Sequence, residues 1–98
     1  MASSRPAAPV TIDAVGNREA ITASTQCREI RVRQRTSETQ ALYYYSDVAS
    51  GGNRNEKYPA ESHTFTKASG ALFDVGEVAG YLEADSGSMT MEVEEIVG

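Results

Sequence analysis

The segment Arg28-Glu29-Ile30-Arg31-Val32-Arg33-Gln34-Arg35 alternates with a period of two over its whole length. In an extended chain, successive side chains point to opposite faces, so Ile30 and Val32 fall on one side. Glu29, Arg31, Arg33 and Arg35 fall on the other. A helix would scatter these residues around its circumference. The segment therefore reads as a strand with one buried face and one charged face.

Working outward, the same period recurs. Val10-Thr11-Ile12-Asp13-Ala14 and Glu19-Ala20-Ile21-Thr22-Ala23 alternate about a Gly16-Asn17 turn signal and predict a pair of short strands. After Thr36-Ser37-Glu38-Thr39, a turn, comes Ala41-Leu42-Tyr43-Tyr44-Tyr45-Ser46, rich in strand-favouring residues. Residues 47–59 read as a long irregular loop, with Ser50-Gly51-Gly52-Asn53 inside it and Tyr58-Pro59 at its end. Ser62-His63-Thr64-Phe65-Thr66-Lys67 and Val78-Ala79-Gly80-Tyr81-Leu82 are further strands. Between them, Ala71-Leu72-Phe73 reads as a short strand or a single helical turn that plugs one end of the core. Asp85-Ser86-Gly87-Ser88 reads as a hairpin turn into Met89-Thr90-Met91-Glu92-Val93-Glu94, again alternating. About seven or eight short strands with frequent turn signals predict an all-β, antiparallel β-sandwich or jelly roll. Its expected core is Ile12, Ile21, Ile30, Val32, Leu42, Phe65, Leu82, Met89, Met91 and Val93.

Length and charge narrow the function. The 98 residues make one domain, expected at 10–98, with residues 1–9, poor in apolar side chains, expected as a flexible N-terminal arm. Nine basic residues face fourteen acidic ones, for a net charge of -5. A nucleic-acid binder needs a basic surface to displace counterions from phosphates, so no nucleic-acid partner is expected. No apolar run approaches the roughly 20 residues that cross a bilayer, and no membrane partner is expected. One cysteine and one histidine cannot form an ordinary zinc site or an internal disulfide, so neither metal nor cofactor is expected. The charge is uneven: residues 1–50 hold six Arg against five acids, and residues 51–98 hold three basic residues against nine acids. Such asymmetry suits either a well-solvated surface or an Arg-rich edge of one copy meeting an acidic edge of another.

No enzyme signature emerges. Alternation sends Ser62 to the opposite face from His63, which separates a would-be nucleophile from its base. Cys27 reads as a small buried apolar residue, and Gly51-Gly52 lacks the lysine and the strand–loop–helix setting of a phosphate loop. Glu92, Glu94 and Glu95 have no partner base nearby in sequence, so solvation is their expected role. The unusual local feature is Tyr43-Tyr44-Tyr45. Parity with Leu42 places Tyr44 inward and Tyr43 and Tyr45 outward, available with Tyr58 as interface anchors or a sugar-stacking platform. The candidate partner-binding residues are Arg31, Arg33, Arg35, Tyr43, Tyr45, Tyr58, Glu92 and Glu94.

Several of these features occur together: the Val10-Thr11-Ile12 strand, Cys27-Arg28-Glu29-Ile30-Arg31-Val32 and Leu42-Tyr43-Tyr44. Tyr58-Pro59-Ala60-Glu61-Ser62, Ala71-Leu72-Phe73-Asp74-Val75 and Gly80-Tyr81-Leu82 follow in order. In this arrangement the chain from 10 to 97 resembles small β-sandwich proteins encoded among bacteriophage structural genes. Ala60, where that group usually has Gly, and the acidic last strand depart from the pattern. The resemblance implies a non-enzymatic virion protein on the outer capsid surface. It would be a decoration or cement protein that binds the major capsid protein, as a trimer or dimer on the shell. The alternative from a different class is a receptor- or glycan-binding module of a phage fibre or tail.

Overall fold

The computed structural model describes residues 3–13, 18–35 and 42–97. Among the described residues, eight strands and one short 3-10 turn follow one another. They are β1 (Ser3–Asp13), β2 (Glu19–Thr22), β3 (Glu29–Gln34), β4 (Tyr43–Ser46), β5 (Asn55–Lys57), β6 (His63–Thr66), the turn at Ala68–Gly70, β7 (Val78–Ala84) and β8 (Ser88–Val97). They form two four-stranded sheets, ordered β1-β8-β3-β6 and β2-β7-β4-β5. The order has a simple origin. Strands β1 to β4 run antiparallel to β8 to β5 as partners in one long hairpin, giving the pairs β1·β8, β2·β7, β3·β6 and β4·β5. Rolling that hairpin up adds β3·β8 and β4·β7. This is the jelly-roll form of the β-sandwich.

The alternation read from the sequence explains the interior. Ile12, Ile30, Val32, Phe65, Met89, Met91 and Val93 descend from one sheet, and Ile21, Tyr43, Leu82 and Ala84 rise from the other. Cys27 and Phe73 join them from the links, held by reciprocal backbone hydrogen bonds of 3.1 and 2.8 Å across an isolated bridge. Thus Phe73 does plug the core, while the neighbouring Leu72 stays exposed. Leu42, expected in the core, is only partly buried.

Four expectations are corrected. The 1–9 arm is, from Ser3 onward, the first part of β1, paired residue by residue with β8 from Ser3↔Val97 to Ala7↔Val93. Low apolar content did not prevent this, because an outermost strand exposes most of its side chains and tolerates Pro6 and Pro9. The pairing shifts register between Ala7 and Val10, a bulge that accommodates the second proline. The 47–59 loop contains β5, which pairs with β4. The turn at Asp85-Ser86-Gly87 is not a hairpin, since it carries the chain from β7 in one sheet to β8 in the other. Strands β1 and β2 likewise belong to different sheets, and the Gly16-Asn17 and Thr36-Ser37-Glu38-Thr39 turns lie outside the described residues.

The parity of Tyr43-Tyr44-Tyr45 is also the reverse of that expected. Tyr43 is 0% exposed and its hydroxyl donates to the Glu61 carbonyl. A tyrosine can sit wholly inside a sandwich when its one polar atom finds such an acceptor. Tyr44 points outward instead, donating to Asp85 at 2.7 Å beneath the Arg54 guanidinium, which lies 4.0 Å from the ring centroid.

Candidate functional site

Strand β8 is interior to its sheet, between β1 and β3. Because Met89, Met91 and Val93 point into the core, Glu92 and Glu94 must point out, on the same face as the arginines of β3. The antiparallel register sets Arg31 opposite Glu94 and Arg33 opposite Glu92. Arg31 Nη1 lies 2.9 Å from Glu94 Oε1, and Arg35 Nε lies 2.8 Å from Glu92 Oε1. The four side chains are 39–45% exposed, so each pair contributes about 1 kcal/mol or less. The Glu92 and Glu94 carboxylates therefore lie on an interior strand and not at an edge of the sheet. They sit across from the arginines in the same sheet, Glu94 pairing with Arg31 and Glu92 with Arg35. The complementary spacing was visible in the sequence, but the strand pairing that makes it internal was not.

Arg33 is the exception. Among the described residues it makes no ion pair within 4 Å, because the carboxylate opposite it reaches diagonally to Arg35. An open groove of about 510 Å³ runs over this face, lined by Arg31, Arg33, Glu92, Glu94, Ser62 and the Pro6-Ala7 step of β1.

The candidate tyrosines do not form one platform. Tyr43 is inside, Tyr58 is 61% exposed in the turn that precedes β6, and Tyr45 is half-buried at the side of the sandwich. The Tyr45 ring stacks on His63 at 3.6 Å between centroids, and His63 meets Phe65 edge-on at 4.6 Å. A second groove of about 450 Å³ opens there, with Asp47, Asn53, Asn55, Thr64 and Thr66 around these rings.

Burial holds three ionisable side chains in their uncharged forms. Burial, reinforced by the Lys57 charge, lowers the His63 pKa to about 4, so the imidazole is neutral at pH 7. Burial, then the nearby Glu95 carboxylate, pushes the Cys27 thiol up, away from the reactive thiolate. Burial raises Tyr43 to about 12. Among the described residues no group of three His, Cys, Asp or Glu side chains is placed to hold a metal ion.

Two polar clusters were not anticipated. Glu95, read as solvated, is 1% exposed and accepts hydrogen bonds from the Ser24 backbone N–H at 2.6 Å and its hydroxyl at 2.7 Å. Its position in the inward series Met91, Val93, Glu95 was the available signal. On the other sheet, Glu83 lies between Arg18 at 3.6 Å and Arg54 at 3.1 Å. Arg18 also donates to Ser46 Oγ and to the Val48 and Gly51 carbonyls, which fastens the loop after β4. Nothing in the local sequence connects residues so far apart.

In comparisons with known proteins, no family model matches the chain, and neither a curated protein nor a solved structure matches it.

Proposed function

We propose that this protein is a non-enzymatic structural component of a phage virion, a capsid decoration or cement protein bound to the outside of the head. In this role it contacts the major capsid protein and stabilises the junctions between shell subunits, as a dimer or trimer. The observation that carries the reading is the use of the charged side chains. Glu83, Glu92, Glu94 and Glu95 are all engaged in contacts within the sandwich, and the single histidine is stacked and neutral. What such a domain offers to other molecules is a braced surface rather than a reactive cleft. Jelly rolls recur in capsid and lectin domains, so the fold suits this class without selecting it. Many copies on a lattice stabilise a shell through individually modest contacts, since each bound copy raises the effective concentration of the next contact.

Mass spectrometry of purified particles tests the reading. The chain is expected in simple stoichiometry with the shell protein, and particles stripped of it should rebind the purified domain and withstand heating better. Its absence from particles would overturn the reading. A second reading, a receptor- or glycan-binding module, is favoured by the groove beside Tyr45, where aromatic edges meet amide, carboxylate and hydroxyl groups. A glycan array separates the two, because a cement protein should select no sugar.

A further inference from the structure

The outer face of the β1-β8-β3-β6 sheet carries three guanidinium groups in a row and two carboxylates opposite them. Successive arginines on one strand face are about 7 Å apart. Arg31 is held by Glu94 and Arg35 by Glu92. Arg33 lies between these two pairs, exposed, with no ion pair among the described residues. The β3·β6 register places His63 opposite Val32, so the next residue along, Ser62, comes level with Arg33, and both line the same groove. At the far side the groove is walled by Pro6 and Ala7.

We propose that Arg33 and the Ser62 hydroxyl receive one carboxylate side chain of a protein partner, an Asp or Glu flanked by uncharged residues. This rests on the reading of the protein as a binding component and names the chemistry of what it binds. The guanidinium is a planar fork that pairs with a carboxylate through two parallel hydrogen bonds, and it is weakly hydrated, so little is lost on exchanging water for that pairing. The pairs on either side pin Arg31 and Arg35, which leaves the cleft between them formed before anything enters. One incoming carboxylate completes a three-against-three arrangement of charge. Pro6, exposed at the groove wall and opposite Glu94, offers apolar surface to the methylene groups behind it. A nucleic acid fits poorly: Glu92 and Glu94 flank Arg33 in the same groove and would repel the phosphates on either side of the one held, whereas a peptide can present a single carboxylate among uncharged residues.

The test uses the isotope-labelled full chain at low ionic strength, with the capped peptide Ala-Ala-Glu-Ala-Ala as probe and oligothymidylate as the comparison. The side-chain Nε–Hε resonance of Arg33 should move with this peptide and respond less to oligothymidylate. Arg33→Gln should melt as the wild type does and bind the peptide about two- to fivefold more weakly, as expected for a partly exposed pair. Arg33→Lys, which keeps the charge without the fork, should fall between them. An unmoved Arg33 resonance, equal peptide affinity in Arg33→Gln, or a stronger response to oligothymidylate would overturn the proposal. So would an Arg33 shift produced by raising the protein concentration alone, which would make a second copy the occupant. Because these measurements need no particles, they can fail while the chain is found on virions, or succeed while it is not.

Discussion

The ring of Phe65 on β6 occupies the space that a side chain at Gly80 of β7 would need: a Cβ built there would lie 2.3 Å from Phe65 Cε1 and 2.6 Å from Cδ1. The two residues belong to opposite sheets, so at this point the sheets approach with one large side chain and one absent one. Gly80→Ala should therefore destabilise the domain by about 1–3 kcal/mol through overpacking. Phe65→Leu should cost stability in the wild type and cost less, or nothing, in the Gly80→Ala background. Urea unfolding of the two single variants and the double variant measures this coupling. Additive losses would mean that the ring does not lie against Gly80.

Glu95 links the end of β8 to the segment after β2 through two hydrogen bonds to Ser24. Glu95→Ala removes both acceptors and leaves the Ser24 N–H without its partner, at an expected cost of about 1–3 kcal/mol. Ser24→Ala loses only the hydroxyl contact and should cost less. Equal and negligible effects of the two variants in urea unfolding would show the carboxylate to be solvated after all.

Whether a residue's place was legible depended on whether alternation carried a contrast. Around Ile30 and Val32 apolar and charged side chains take turns, and the buried face is unambiguous. In Tyr43-Tyr44-Tyr45 three identical amphipathic side chains follow one another, so parity had to be borrowed from Leu42, which lies before β4 begins and is only partly buried. The Arg31, Arg33 and Arg35 face was legible for the same reason as the core. Its pairing with Glu92 and Glu94 was not, because that depends on β8 pairing with β3, a contact across some sixty residues that no local pattern encodes. The stack of Tyr45 on His63 was hidden likewise, since it joins two sheets across the fold.

His63 makes the stability pH-dependent in a definite direction. Its folded pKa is lowered to about 4 from an ordinary 6.5, by burial first and by the Lys57 charge second. Between these values the unfolded chain takes up a proton that the folded one refuses, so stability rises with pH. The contribution is fully present above 6.5, is lost as pH falls toward 4, and changes no further below that. His63→Phe keeps an aromatic ring against Tyr45 and removes the titration. Urea midpoints at pH 7 and pH 4.5 should differ more for the wild type than for His63→Phe, the carboxylates titrating in both. Parallel changes would place His63 in solvent.

The first strand gives the sharpest contrast between sequence and structure. Composition alone predicts that deleting residues 1–9 leaves the melting temperature unchanged. The pairing of Ser3 with Val97 through Ala7 with Val93, and the packing of Ala7 against the core, predict otherwise. Each ladder hydrogen bond contributes about 1 kcal/mol net, against about 1–2 kcal/mol of backbone entropy for each residue held in place. The balance is therefore small, and pairing of an ordered strand means that it favours the bound state. A loss of about 1 kcal/mol corresponds to a fall of roughly 4–8 °C in a domain of this size. Hydrogen exchange adds a directional signature, because the amides of an interior antiparallel strand point alternately to its two neighbours. In the deletion variant, those amides between Val93 and Val97 that face β1 should lose protection, while those that face β3 keep it. An unchanged melting temperature together with unchanged exchange along β8 would detach residues 3–9 from the sheet and restore the free arm.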